Sequence, residues 1–206
     1  GDQQSTWAEL QAQLRAGISA GLSGISFWGF DIGGFAGPLP DKELYLRATA
    51  LACFCPIMQW HAETPGGQYG GERVIHNDRS PWNLAEQLQD PQVLDISCAF
   101  ARLRETLRPY LWQEAQYGVQ QARPLMAHLC LDYPVDPLAW QVHDQYMLGR
   151  QLLVAPVVEP GVQSRGLYLP KGRWEDYFTG EVHTGGRTIS VDAPLDRIPV
   201  FKKLDG

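Results

Sequence analysis

Residues 24–37 read GISFWGFDIGGFAG. The first part, residues 25–28, is a short apolar run bounded by glycines, the form of a buried parallel strand. The second part, residues 31–37, is the glycine-rich loop at that strand's carboxyl end. A strand of this kind needs covering helices, and the sequence supplies one on each side. Upstream, Thr6 and Glu9 form a T-x-x-E capping box, and Trp7, Leu10, Leu14 and Ile18 recur at helical spacing until Gly21 and Gly24 end the helix. Downstream, Asp41 caps a second helix whose inner face is Leu44, Tyr45, Ala48, Leu51 and Ala52. A second short strand, residues 56–60 (PIMQW), then ends at His61.

Residues 62–81 are polar and glycine-rich, a long loop of the length that usually serves a function. A helix over 91–117 follows, with Pro109 expected to bend it and Gly118 to stop it. Helix and strand alternate up to this point, which implies parallel strands with helices on their faces. Beyond it the character changes. Residues 152–157, 166–170, 174–177, 188–191 and 198–201 are short strand candidates separated by Gly, Pro and Asp, the pattern of an antiparallel sandwich. The reading is therefore an α/β unit over 1–118 and an all-β sandwich domain over 119–206.

Charge excludes one class of function. The 17 basic and 23 acidic residues leave a net charge of −6 without a basic stripe, so no nucleic-acid footprint is present. No apolar run approaches the ~20 residues of a membrane span. Cys53, Cys55, Cys98 and Cys130 lack metal-type spacing and read as buried thiols, which agrees with a cytoplasmic location. Seven Trp, eight Tyr and seven Phe are a high aromatic load, suited to stacking on sugar faces and equally to filling cores.

Both strands place a polar residue at their carboxyl end: Asp31 and His61. Asp2 precedes the first helix and would hold the equivalent place on the preceding loop. In a (β/α)8 barrel that is the face where active sites are built. Each residue also has a structural reading. Asp2 suits a helix start, Asp31 can brace a glycine-rich turn, and His61 can be a satisfied structural histidine.

Residues 28–35 (WGFDIGGF) resemble the W-G-x-D-I-G-G-F signature of glycoside hydrolase family 31. Residues 43–47 (ELYLR) resemble that family's E-L-Y-x-R-W helix, 108–111 (RPYL) its R/L-P-Y-L segment, and 123–125 (RPL) its R-P-L. The segments QYMLG (145–149), LLVAPV (152–157), YLPKGRW (168–174), FTG (178–180), APL (193–195) and IPVF (198–201) continue the match in order. The resemblance implies the C-terminal portion of a (β/α)8 barrel followed by a β-sandwich. It further implies a retaining α-glycosidase acting on an α-linked oligosaccharide or glycoside, with no metal or cofactor. Gly1-Asp2, followed by Ser5-x-Trp7-x-x-Leu10, is similar to the segment that carries the family's general acid/base, which makes Asp2 the catalytic residue. Asp31 and His61 become hydroxyl-binding residues of the non-reducing-end subsite, and Trp28 lines the same pocket.

The chain departs from the family's pattern at three points. No position matches the family's nucleophilic aspartate, which lies on an earlier strand. Gln59 stands where the family often has arginine, and Ala48 where it usually has tryptophan. A (β/α)8 barrel typically takes ~250 residues, so the expectation is an enzyme whose N-terminal half lies outside this chain, with the chain alone inactive. An α-transglycosylase of the same family and a non-catalytic carbohydrate-binding or structural remnant are the competing readings. Oligomeric state is left open.

Overall fold

The computed structural model describes residues 3–62 and 79–204; Asp2, Glu63 and Asp78 lie outside the described residues. Helix α1 spans Trp7–Leu22, with the Thr6 hydroxyl accepting from the Glu9 N–H at 3.2 Å. Its Leu10, Leu14 and Ile18 are buried, as their spacing requires. Gly21 does not stop this helix: it lies within α1, where a Cβ would come within 2.5 Å of the Met126 carbonyl oxygen. The turn is made at Gly24, whose φ of +87° is open to glycine without strain.

Residues 25–31 and 56–61 run side by side and parallel. The Ile57 N–H donates to the Trp28 carbonyl at 3.0 Å, the Ile32 N–H donates to the Gln59 carbonyl at 3.3 Å, and Asp31 pairs with Gln59. The pairing stays at a single bridge rather than the regular strands expected over 25–28 and 56–60. A parallel ladder is the weaker kind of pairing and is normally buried within a sheet. Alternation still holds along both segments. Trp28 and Phe30 turn toward the helices, whereas Ile25, Phe27 and Ile57 remain 53%, 47% and 42% exposed.

Helix α2, Lys42–Cys53, begins at Asp41, whose carboxylate accepts the Leu44 N–H at 2.8 Å. All residues from 44 to 53 are buried, because the helix is covered on both sides. Ser80 caps α3 (Pro81–Leu88), with Pro81 at its first position. Helix α4, Gln92–Gln121, passes through Pro109 and through Gly118, and it ends at Ala122, which has φ 52°. Gly118 is therefore a packing glycine rather than the stop: a Cβ there would lie 2.5 Å from the Arg123 carbonyl oxygen, and its own carbonyl accepts the Arg123 N–H.

The remaining chain forms β1 (Met126–Ala127), α5 (Leu129–Asp132), β2 (Tyr146–Leu148), β3 (Leu152–Val154), β4 (Ser164–Leu169), β5 (Arg173–Asp176), β6 (Val182–Thr184), β7 (Arg187–Asp192) and β8 (Val200–Lys203). The layers are unequal: an antiparallel six-stranded sheet ordered β1-β2-β3-β8-β5-β6, and the two-stranded pair β4-β7. Met147, Leu153, Trp174 and Phe201 point between the sheets and pack with Leu167 and Leu169. On the other face, Tyr146, Leu148, Leu152, Val154 and Val200 join the core built by the helices. A sheet buried on both faces needs continuous apolar runs instead of alternation, which is what YML and LLV supply.

Arg47 ties the two parts together. Its side chain is buried, and its guanidinium donates to the carbonyls of Val162 (2.8 Å), Ala193 (2.7 Å) and Pro194 (3.1 Å). One turn earlier on α2, Glu43 accepts the Gly161 N–H at 2.9 Å.

Candidate active site

The site is built where the two parallel segments end. Three residues on the face away from the helices follow each other across the segments: Asp31, Gln59 and His61. Gln59 Nε2 donates to Asp31 Oδ1 at 2.8 Å, and His61 Nδ1 lies 3.9 Å from the same oxygen. The Asp31 side chain is mostly buried, whereas the His61 ring is open to solvent. Phe35 stands edge-on to His61 with ring centroids 5.3 Å apart, which adds an apolar wall. The cluster can accept and donate hydrogen bonds at adjacent points, the arrangement needed to hold neighbouring hydroxyl groups.

The loop after Asp31 is fixed against residues 3–5. Gln3 donates through Nε2 to the Asp31 carbonyl at 3.1 Å, and its own carbonyl accepts the N–H groups of Phe35 (2.8 Å) and Ala36 (3.1 Å). Ser5 Oγ donates to the Gly33 carbonyl at 2.6 Å. This close approach explains the glycine pair in DIGGF. Gly34 has φ +89°, and a Cβ there would sit 2.6 Å from Ser5 Oγ; a Cβ on Gly33 would sit 2.8 Å from the Tyr45 ring. Asp2 is outside the described residues, but Gln3, its neighbour in sequence, is bonded directly to the Asp31 loop.

Trp28 is not brought to this cluster. It lies an odd number of residues before Asp31, so alternation turns it the other way. Its ring stacks on Phe30 with centroids 5.8 Å apart and packs against Gly17 of α1, where a Cβ would come within 2.6 Å of it. It thus braces the strand from the helix side and does not face Asp31 and His61.

Arg79 was visible in the sequence only as part of an unassigned loop, yet its side chain is buried at the rim of the site. Its Nη2 donates to the Gly37 carbonyl at 2.6 Å, and its Nε donates to Ser5 Oγ at 3.3 Å. Bonds of this kind, from side chain to distant main chain, leave no spacing signature. Ser5 and Phe35 carry no spacing signature either; geometry gives each a contact, Ser5 with Gly33 and Phe35 with His61. Among the described residues no group of three or more His, Cys, Asp or Glu could hold a metal ion, and no helix is long and apolar enough to cross a membrane.

The chain is similar to known proteins over nearly its whole length. Over 201 residues the chain is 42% identical to a 1,3-alpha-isomaltosidase of Kribbella flavida, covering 98% of this chain and 27% of that protein. It is 39% identical to an isomaltosyltransferase of Sporosarcina globispora, covering 99% of this chain and 18% of that one. Among solved structures, a cycloalternan-degrading enzyme from Trueperella pyogenes, in complex with a covalent intermediate, superimposes with a TM-score of 0.92 at 42% identity, over 100% of this chain and 28% of that one. A cycloalternan-forming enzyme from Listeria monocytogenes, in complex with a pentasaccharide substrate, gives 0.91 at 42% identity, over 98% and 19%. The chain thus spans about a quarter or less of the length of these relatives. Residues 1–114 match the family 31 TIM-barrel domain and residues 122–205 the family 31 C-terminal domain, so the chain belongs to glycosyl hydrolase family 31.

Proposed function

We propose that this chain supplies the last part of the catalytic barrel, and the β-domain behind it, to a retaining α-glycosidase that acts on α-linked gluco-oligosaccharides carrying isomaltosyl units. The observation that carries the reading is the Asp31–Gln59–His61 cluster at the ends of two adjacent parallel segments, with the residue after Asp2 bonded to the Asp31 loop. In this reading Asp2 is the general acid/base, and Asp31 and His61 hold hydroxyl groups of the non-reducing-end sugar. The nucleophile is a carboxylate on a part of the enzyme outside this chain. Ile25, Phe27 and Ile57 are large apolar side chains left about half exposed, which suits a surface that another element covers.

The chemistry is a double displacement. A carboxylate attacks the anomeric carbon while Asp2 gives its proton to the leaving oxygen; Asp2 then takes a proton from the water that breaks the glycosyl–enzyme ester. The two carboxyl groups of such a pair stand about 5–5.5 Å apart. Hydrogen bonds between the sugar hydroxyls and Asp31 and His61 that tighten as the ring flattens contribute to rate rather than to binding alone.

The second reading, transfer of the sugar to another saccharide instead of water, is favoured by the 39% identity to an isomaltosyltransferase. Both follow from one experiment: Asp2→Asn, Asp31→Ala and His61→Ala in the complete enzyme, with products from an isomaltosyl-containing oligosaccharide separated by chain length. Free isomaltose together with the shortened saccharide makes it a hydrolase, and saccharides longer than the substrate make it a transferase. Wild-type turnover in all three variants would overturn the site assignment. The chain expressed by itself is expected to be inactive.

A further inference from the structure

We infer that Arg79 is a positioning residue that holds the acid/base segment in register with the sugar-binding loop, an inference that rests on the assignment of Asp2 as acid/base. Arg79 directly precedes Ser80, the cap of α3, and the residue is 3% exposed. From there the guanidinium reaches two other loops of the site. Nε donates to Ser5 Oγ at 3.3 Å, and Nη2 donates to the carbonyls of Gly37 (2.6 Å) and Pro38 (3.4 Å). The residue's own carbonyl accepts the Tyr45 hydroxyl from α2 at 2.7 Å, so its backbone is held from below.

Ser5 is a junction rather than an end point. It also donates to the Gly33 carbonyl, and it lies on the same short segment as Gln3, which bonds Asp31 and the Phe35 and Ala36 N–H groups. Arg79, just ahead of α3, therefore joins residues 3–5 and the loop after Asp31 in one hydrogen-bonded unit. A forked, always-charged guanidinium can serve Ser5 and Gly37 together, whereas a lysine ammonium is a single point. Burying that cation is costly, and a fold that needed only packing there would be served as well by an apolar side chain. The gain is geometric: a general acid misplaced by about 1 Å loses on the order of a hundredfold in rate.

The experiment uses the complete enzyme and the variants Arg79→Ala, Arg79→Lys, Ser5→Ala and Asp2→Asn. Each is assayed on an isomaltosyl-containing oligosaccharide, whose leaving group needs a proton, and on an activated aryl α-isomaltoside, whose leaving group needs none. Each is assayed again with added azide. Azide displaces the enzyme carboxylate without base assistance: its nitrogen bonds to the anomeric carbon, the ester bond breaks, and a glycosyl azide leaves. Misplacement of the acid/base predicts that Arg79→Ala loses on the order of a hundredfold on the oligosaccharide and far less on the aryl glycoside. Azide should accelerate it, with Arg79→Lys and Ser5→Ala intermediate. Where Arg79→Ala does not fold, those two variants decide alone. Equal losses on both substrates with no azide response in the Arg79 and Ser5 variants, while Asp2→Asn does respond, would overturn this inference and leave the acid/base assignment standing. No azide response in Asp2→Asn would instead remove the assignment on which it rests.

Discussion

The amide of Gln59 donates to Asp31 Oδ1 across 2.8 Å, joining two residues 28 positions apart at the ends of neighbouring parallel segments. The same two residues are paired through their backbones. The side-chain bond thus sets which way the Asp31 carboxylate faces, and a neutral donor does so without neutralising its charge. An arginine at this place would form a bidentate ion pair instead and would take up more of the carboxylate's lone pairs.

That relationship can be measured. Gln59→Ala in the complete enzyme is expected to lower kcat/KM by about fivefold to tenfold, corresponding to loss of a hydrogen bond of ~1 kcal/mol. Gln59→Arg should change the ranking of sugars as well as the rate, seen in kcat/KM over a panel of α-glucosides and α-xylosides. Unchanged kinetics in both variants would mean that the amide does not orient Asp31.

Arg47 gives a stability prediction. Its guanidinium satisfies three carbonyls of the β-domain from a buried place, with Glu43 Oε1 4.0 Å away. Burial lowers the Arg47 pKa, and the Glu43 carboxylate counters that shift. Arg47→Met leaves the carbonyls without these donors and should cost about 3 kcal/mol or more. In urea this appears as a lower midpoint or as two separate transitions, one for each part of the chain. A midpoint equal to wild type would show that the contact carries no net stability.

Gly17 tests the placement of Trp28. At an exposed helix position, Gly→Ala stabilises by about 1 kcal/mol. Here a Cβ would lie 2.6–2.9 Å from three atoms of the Trp28 ring. Gly17→Ala is therefore expected to destabilise by ~1–3 kcal/mol through overpacking. Adding Trp28→Leu to Gly17→Ala should recover part of that loss, and thermal unfolding of the single and double variants reads both. A stabilised Gly17→Ala would place the Trp28 ring elsewhere.

The buried thiols give a pH prediction. Burial pushes Cys53 and Cys55 from the usual 9.0 up to about 12, with the nearby Arg104 charge pulling both back only in part. In the unfolded chain these groups ionise near their ordinary value, so the stability tied to their neutral form is intact below about pH 9 and is lost progressively from there toward pH 12. Unfolding midpoints should fall as pH rises above about 9, and the fall should be shallower in Cys53→Ala/Cys55→Ala. In the native state at about pH 8 neither thiol should react with a disulfide reagent until denaturant is added. Rapid labelling of either in native buffer would contradict their burial.

Local chemistry was legible wherever neighbours in sequence are also neighbours in space. The caps at Thr6 and Asp41, and the runs that became β3, β4, β5, β7 and β8, follow from short-range pattern. The short strands β1, β2 and β6 were not legible, since two or three residues carry no usable period. The glycines divided along the same line. Gly24 punctuates the chain as read, whereas Gly21 and Gly118 are small because a distant backbone passes close by.

By itself the sequence determined the family and the order of the parts, and it put Asp31 and His61 at the ends of the two parallel segments, because composition and collinear motifs are properties of the chain alone. Only the tertiary structure decided what those residues do for one another. It turned Trp28 toward α1, gave Asp31 its Gln59 donor, and sent Arg79 to Ser5 and Gly37 and Arg47 into the β-domain. The reason is the direction of side chains: a period of two along a strand sorts residues by face, and a buried guanidinium is drawn to whichever carbonyls the packed chain leaves within reach.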